Sequence, residues 1–230
     1  GESADGNGFS KLIAAVRTNA TGNGGNLTIE TGRFIIRDGA FIGVDVQGSG
    51  NGGNLTIRAT DAVEVIGTSD GGTPSRLNAQ VNPRATGRAG NISIDTPSLS
   101  LRDGGQISVG TFGEGEGGQI SIRADFAELV GSVPVVPIAA KEDGPGLVSD
   151  ASRTSFPSGV FASSRGTNNA GDVTIDAGEL SVLDGAQVSV SSTNLGEAGN
   201  ATVRADRILF DRGILSAETV QGNQANLQLS

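Results

Sequence analysis

A five-residue phrase recurs along the chain, and its spacing constrains the fold more than any other feature. Gly25-Asn26-Leu27-Thr28-Ile29 returns as Gly53-Asn54-Leu55-Thr56-Ile57, Gly90-Asn91-Ile92-Ser93-Ile94 and Gly118-Gln119-Ile120-Ser121-Ile122. It returns again as Gly171-Asp172-Val173-Thr174-Ile175 and Gly199-Asn200-Ala201-Thr202-Val203, and a degraded copy follows at Ala225-Asn226-Leu227-Gln228-Leu229. The steps between copies are 28, 37, 28, 53, 28 and 26 residues, so the period is 28 and two units carry 9 and 25 extra residues. A fixed period of this size marks an array in which each unit buries its apolar face against its neighbours.

Within a unit the apolar residues alternate, which is the period of a strand and not of a helix. Leu27 and Ile29 form one inward pair. Phe34 and Ile36 form a second, matched by Leu99 and Leu101 and by Leu180 and Val182. Ile42 and Val44 form a third, matched by Ile107 and Val109 and by Val188 and Val190. Asp-Gly at 38–39, 103–104 and 184–185 supplies turn chemistry between the second and third strands. Val16, Val44, Val81, Val109, Ala162 and Val190 each lie ten residues before the Asn, Gln or Asp of the next phrase, which predicts a third strand and turn of constant length. Three short strands per 28 residues leave no room for a helix. The expectation is an all-β chain, a single parallel β-solenoid (β-helix) over residues 1–230 with about seven coils. Equivalent residues would stack ~4.8 Å apart, giving roughly 35 Å of axis. Loop insertions are expected at about 68–76 and 132–156, leaving one corner; prolines 74, 134, 137, 145 and 157 lie in or beside them.

The outward residue after each phrase reads Glu30, Arg58, Asp95, Arg123, Asp176, Arg204, with the sign alternating at every step. Stacked units would set each acid against a base, which fixes register more than it adds stability. On that basis Arg123→Glu, facing Asp95 and Asp176, should destabilise more than Arg102→Glu. The Asn column at 26, 54, 91, 200 and 226 is expected to be an internal amide ladder satisfying turn backbone.

Composition narrows the function. The chain has no Cys, His, Trp or Tyr. That removes disulfides, thiolate metal sites, the commonest general base and the usual stacking platforms for sugars and bases. A net charge of −9 opposes nucleic acid and anionic membranes, and no apolar run is long enough to span a bilayer. Asp38, Asp103, Asp184 and Asp211 could form a calcium column, but Asp before a glycine turn is explained by local backbone bonding, and the Gly-Gly-x-Gly-x-Asp calcium repeat is absent. The glycine runs at 22–25 and 50–53 lack the Lys and helix of a phosphate loop. Sequons such as Asn26-Leu27-Thr28 follow automatically from the repeat. Lys141, Glu142 and Asp143 are the one charged cluster in the long insertion and read as a solvated loop. No catalytic, cofactor-binding or metal residue is assigned, and no cofactor.

Several phrases recur in one order: Gly25 to Ile29, Arg37 to Ala40, Thr111 to Gly115, Leu129 to Ser132 and Phe156 to Ala162. Together they resemble the repeat region of large secreted exoproteins of the filamentous-haemagglutinin, two-partner secretion type, in particular the long cyanobacterial ones. The resemblance covers nearly the whole chain. It implies a right-handed β-helix, export through an outer-membrane partner and a place at the cell surface, with no catalytic residues to carry over. The family's amino-terminal secretion domain has no match here.

The resulting expectation is a non-enzymatic structural and adhesive module, a rigid extracellular spacer. Its partners would be further copies stacked end to end, surface polysaccharide or another cell, but not nucleic acid or a bilayer. The alternative is a polysaccharide-cleaving β-helix enzyme, which would need a groove with clustered acids. Gly1 in place of Met reads as a processed chain or a fragment. With no cap visible at either end, the chain is expected to continue in a parent protein or to stack into an open filament.

Overall fold

The structure is a computed structural model that describes residues 10–134, 155–222 and 225–230. These residues contain no helix. Their strands are β1 (Lys11–Ile13), β2 (Leu27–Arg37), β3 (Phe41–Gly43), β4 (Leu55–Ile66), β5 (Arg76–Val81), β6 (Ile92–Arg102), β7 (Gln106–Thr111) and β8 (Ile120–Val130). They continue as β9 (Ser132–Pro134), β10 (Ser155–Pro157), β11 (Gly159–Ser164), β12 (Val173–Leu183), β13 (Gln187–Ser192), β14 (Ala201–Asp211), β15 (Ile214–Thr219) and β16 (Leu227–Leu229). Two seven-stranded sheets result, one ordered β1-β3-β5-β7-β11-β13-β15 and the other β2-β4-β6-β8-β12-β14-β16. Every neighbour within them pairs parallel. The chain alternates between the sheets, and successive units occupy successive rows in sequence order.

The alternating apolar residues of both sheets meet in one core. Leu55, Ile57, Val63, Val65, Leu77, Ile92, Ile94, Leu99, Leu101 and Ile107 are all essentially solvent-free within it. Each such side chain contributes about 1.5–3 kcal/mol by leaving water. A second, smaller cluster of Val16, Val46, Val81, Ala85 and Ala89 lies at the turn that follows the short strands. Large exposed apolar residues gather on the outermost described strands, Leu12 and Ile13 on β1 at one end, Ile214 on β15 and Leu227 and Leu229 on β16 at the other. Phe210 joins them on β14, beyond the residues that β16 pairs.

Three sequence expectations are corrected here. The first two strands of each unit run together as one. The ladder misses one pairing, at Pro97/Asp125, Asp125/Gly178 and Gly178/Asp206, and resumes in the same strand. Pro97 has no N–H to give, and a single lost rung does not end a strand paired on both sides.

Second, the nine extra residues of the 55–91 unit are not one insertion. One is a bulge at Thr60-Asp61, where β4 slips against β2 and β6. Six lie between Ile66 and Arg76, and two in the turn after Val81, as the partners of those residues fix. Third, the constant ten-residue offset fails at Val16 and Val81. Val44 and Val109 share a column with Ala79, whereas Val16 and Val81 stack with Val46 and Thr111, one pleat further on. Their turns are longer by two residues and contain the positive-φ residues Asn19 (64°) and Arg84 (70°). A slip of two keeps the same face inward, so the hydrophobic pattern cannot register it.

Between long and short strands, the Asp-Gly pairs turn with both φ positive: 57° and 75° at Asp38-Gly39, 53° and 86° at Asp103-Gly104. The longer connections leave at this same corner, each based on an antiparallel pair, Thr68 with Pro74 and β9 with β10. Each base closes identically, Ser75 N–H donating to Gly67 O and Ser158 N–H to Gly131 O, both 2.9 Å. The same serines, buried, accept from the neighbouring Asp-Gly turns: Gly39 N–H to Ser75 Oγ at 3.0 Å and Gly104 N–H to Ser158 Oγ at 2.9 Å.

Candidate functional site

The most ordered chemistry lies on the outward face of the long strands, where residues two apart point the same way. Three columns stand side by side. The first is Asn26, Asn54, Asn91, Gln119, Asp172, Asn200 and Asn226; the second is Thr28, Thr56, Ser93, Ser121, Thr174 and Thr202; the third is Glu30, Arg58, Asp95, Arg123, Asp176 and Arg204. The register puts every acid of the third column beside a base, and ion pairs close at Glu30–Arg58 (3.1 Å) and Asp176–Arg204 (3.2 Å). Arg123 faces Asp95 and Asp176 without closing an ion pair among the described residues.

The amide column is a ladder, but it is exposed and not internal. At four steps the side-chain oxygen accepts the backbone N–H of the next row: Asn54 to Asn26 Oδ1 at 2.9 Å, Asn91 to Asn54 Oδ1 at 3.0 Å, Gln119 to Asn91 Oδ1 at 2.9 Å, and Asn200 to Asp172 Oδ1 at 2.7 Å. Gln119 Nε2 donates to Asp172 Oδ2 (3.3 Å) and Asn226 Nδ2 to Asn200 Oδ1 (2.9 Å). The bonded atoms sit at the strand entrance, where the chain turns outward and the side chain lies on the surface. Sequence reasoning missed a second ladder three residues earlier. Asn51 N–H donates to Asn23 Oδ1 (2.9 Å), Arg88 N–H to Asn51 Oδ1 (3.0 Å) and Glu197 N–H to Asn169 Oδ1 (3.2 Å). Its signal was present in Asn-Gly-Gly-Asn at 23–26 and 51–54. Between the two ladders runs a glycine floor, and a groove of about 580 Å3 opens there, lined by residues that include Arg88, Glu116, Asn169, Asp172, Glu197 and Asn200. Arg88 and Glu116, neighbours in the second ladder's column, are ion-paired along one side of it.

A buried polar cluster on the outward face of the other sheet was also invisible in the sequence. Asp45 accepts from Asn78 Nδ2 (2.7 Å) and Gln80 N–H (3.0 Å), while Ser108 Oγ donates to Asn78 Oδ1 (2.6 Å). Arg76 lies over the Phe41 ring at 5.1 Å. Burial raises the Asp45 carboxyl to about 6, against the lowering effects of the Gln80 N–H, Arg76 and Asn78. Burial also lowers Arg76, opposed by the charge of Asp45.

On the long-strand sheet, Glu64 is almost buried and takes two guanidiniums, Arg33 Nε at 2.7 Å and Arg102 at 3.4 Å. This reverses the expected order of Arg102 and Arg123, because Arg102 serves a desolvated carboxylate and Arg123 does not.

Asp38, Asp103 and Asp184 are turn residues, with Asp184 also paired to Arg212. Among the described residues no three acids gather into a cluster able to hold a metal ion. Lys141, Glu142 and Asp143 lie outside the described residues. No family model, curated protein or solved structure matches this chain.

Proposed function

We propose that the chain is a right-handed parallel β-solenoid of about seven coils, serving as a structural and adhesive module without enzymatic activity. It belongs, in this reading, to a large secreted cell-surface protein of the filamentous-haemagglutinin type. The observation that carries the proposal is the unit-to-unit register, which resumes after the single bulge at Thr60-Asp61. Both sheets hold parallel pairing through seven rows, across connections of very different length. Such stacking transmits along one axis and suits a stiff spacer. Outward chemistry arranged in ladders suits repeated weak contact with a periodic partner, for which surface polysaccharide or another cell is the proposed target. The apolar side chains exposed on the outermost described strands support stacking of copies end to end.

Two measurements test this. Small-angle scattering should return an elongated particle whose long axis lengthens with concentration while its cross-section stays constant. Incubation with neutral and acidic polysaccharides should retain the protein on the polymer and release no reducing ends. A globular scattering profile would defeat the spacer, and catalytic release of sugar would replace it with the polysaccharide-cleaving enzyme.

A further inference from the structure

We propose that the long-strand face binds a second copy of this chain, side by side and antiparallel. The argument rests on the six-row charge column and is independent of stacking at the edges. Read from row to row, the column is Glu30, Arg58, Asp95, Arg123, Asp176, Arg204, in consecutive rows of one sheet. An alternating series with an even number of rows is its own complement when reversed. A two-fold axis parallel to the strands, midway between the Asp95 and Arg123 rows, reverses row order but keeps each column facing itself. Glu30 then meets Arg204, Arg58 meets Asp176, and Asp95 meets Arg123, each twice by symmetry. The other columns follow: Thr28 meets Thr202, Thr56 meets Thr174, and Ser93 meets Ser121, hydroxyl against hydroxyl.

A two-fold axis running along the charge column would instead set Glu30 on Glu30 and Arg58 on Arg58. The alternation therefore selects the antiparallel arrangement by repulsion as well as attraction. Five of the six charged residues are exposed and Asp176 is half-buried; beside them Thr28, Ser93 and Ser121 are exposed and Thr56, Thr174 and Thr202 half-buried.

The strength of the contact follows from its size. Three columns two residues apart and six rows ~4.8 Å apart cover a face of roughly 14 by 24 Å. Both copies together bury well under the ~1,000 Å2 of a stable interface. The dimer is consequently weak and reversible for one chain, and gains by repetition in a longer array.

Charge reversal tests the pairing directly. Arg123→Asp alone brings two carboxylates together where position 123 meets Asp95 of the second copy. Asp95→Arg alone brings two guanidiniums together at the same crossing. Mixed one to one, the two variants complement each other at every row. Sedimentation velocity between 10 µM and 1 mM (roughly the range in which weak interfaces are read) should give a monomer–dimer equilibrium for the wild-type chain. Each variant alone should weaken dimerisation about tenfold, and the mixture should restore it. Unfolding midpoints confirm that each variant is folded; Glu30→Arg with Arg204→Glu provides a second complementary pair at the outer rows. A wild-type chain that stays monomeric, single variants that dimerise like wild type, or a mixture no better than its components would each overturn the proposal. Association that lengthens with concentration but ignores the charge reversals would overturn it too, while leaving end-to-end stacking in place.

Discussion

The turn after each short strand and the turn before it differ in how much chain they accept. From the Val46 column to the amide column the chain takes eight residues at Val46–Asn54 and ten at Val16–Asn26 and Val81–Asn91. From long strand to short it takes four at Arg37–Phe41 and Arg102–Gln106, but ten at Ile66–Arg76 and 29 at Val130–Gly159. The reason lies in what each turn stacks upon. The first carries its own row-to-row bonds, such as Gly24 N–H to Asn51 O and Gly52 N–H to Arg88 O, both 2.8 Å, and glycines that sit directly against the backbone of the row before. The second is also bonded row to row where it is short, Asp184 N–H to Asp211 O and Gly185 N–H to Arg212 O, both 2.9 Å. The described parts of the two long connections keep such bonds at their ends, Gly67 N–H to Arg102 O and Gly131 N–H to Leu183 O. The serine beyond each restores the bond an Asp-Gly turn requires. Insertion is thus accepted where the two ends of a connection suffice to keep the bonds to the neighbouring rows.

The largest expected effect breaks the tight turn. A Cβ on Gly90 would collide with the carbonyl oxygen of Gly53, whereas a Cβ on Gly25, in the same column at the open edge, meets nothing. Gly90→Ala should cost more than about 3 kcal/mol by overpacking against rigid backbone. Gly25→Ala should stay within about 1 kcal/mol of wild type. Equal midpoints in chemical unfolding would remove the backbone stack as the cause.

At the permissive corner, Ser158→Ala leaves the Gly104 N–H without its buried acceptor and should cost roughly 1–3 kcal/mol, read from the same unfolding curves. Arg102→Glu, beside the same turn, sets a carboxylate against Glu64. It should destabilise by roughly 1–2 kcal/mol more than Arg123→Glu, which changes an exposed column. The opposite order would restore the ranking that the sequence suggests.

Asp45 adjoins Val46 at the entry to the tight turn. Its carboxyl is raised in the folded chain from 3.8 to about 6. Between these values the unfolded chain has lost a proton that the folded chain keeps, so stability falls as pH rises from about 4 to 6. The penalty, about 3 kcal/mol, is complete above that window and absent below it. Asp45→Asn should flatten this part of the pH–stability profile relative to wild type; an unchanged slope would show that Asp45 ionises normally.

The smallest effect should come from shortening the permissive corner. Replacing residues 67–75 by Asp-Gly-Ser gives that unit the connection length of its neighbour and retains the serine that Gly39 needs. Loop length enters only weakly, so the change should stay within about 1 kcal/mol, measured by thermal and chemical unfolding.

The sequence alone determined the period, the parallel rows, the inward and outward faces, the Asp-Gly turns and the pairing of Glu30 with Arg58 and of Asp176 with Arg204. Each is a local choice repeated at a fixed step, and stacking makes repetition in sequence into adjacency in space. Tertiary structure decided what periodicity cannot express. Val16 and Val81 present the same face in either of two registers separated by one pleat, and only the bonds of their neighbours choose between them. The nine extra residues divide into one, six and two because a bulge, a longer corner connection and a turn each solve a different contact. Whether an amide column lies inside or outside, whether Glu64 takes two arginines, and whether Asp45 is desolvated all depend on what the adjoining rows place above the side chain. That environment is assembled from residues some 30 positions away, such as Arg33 and Arg102 around Glu64.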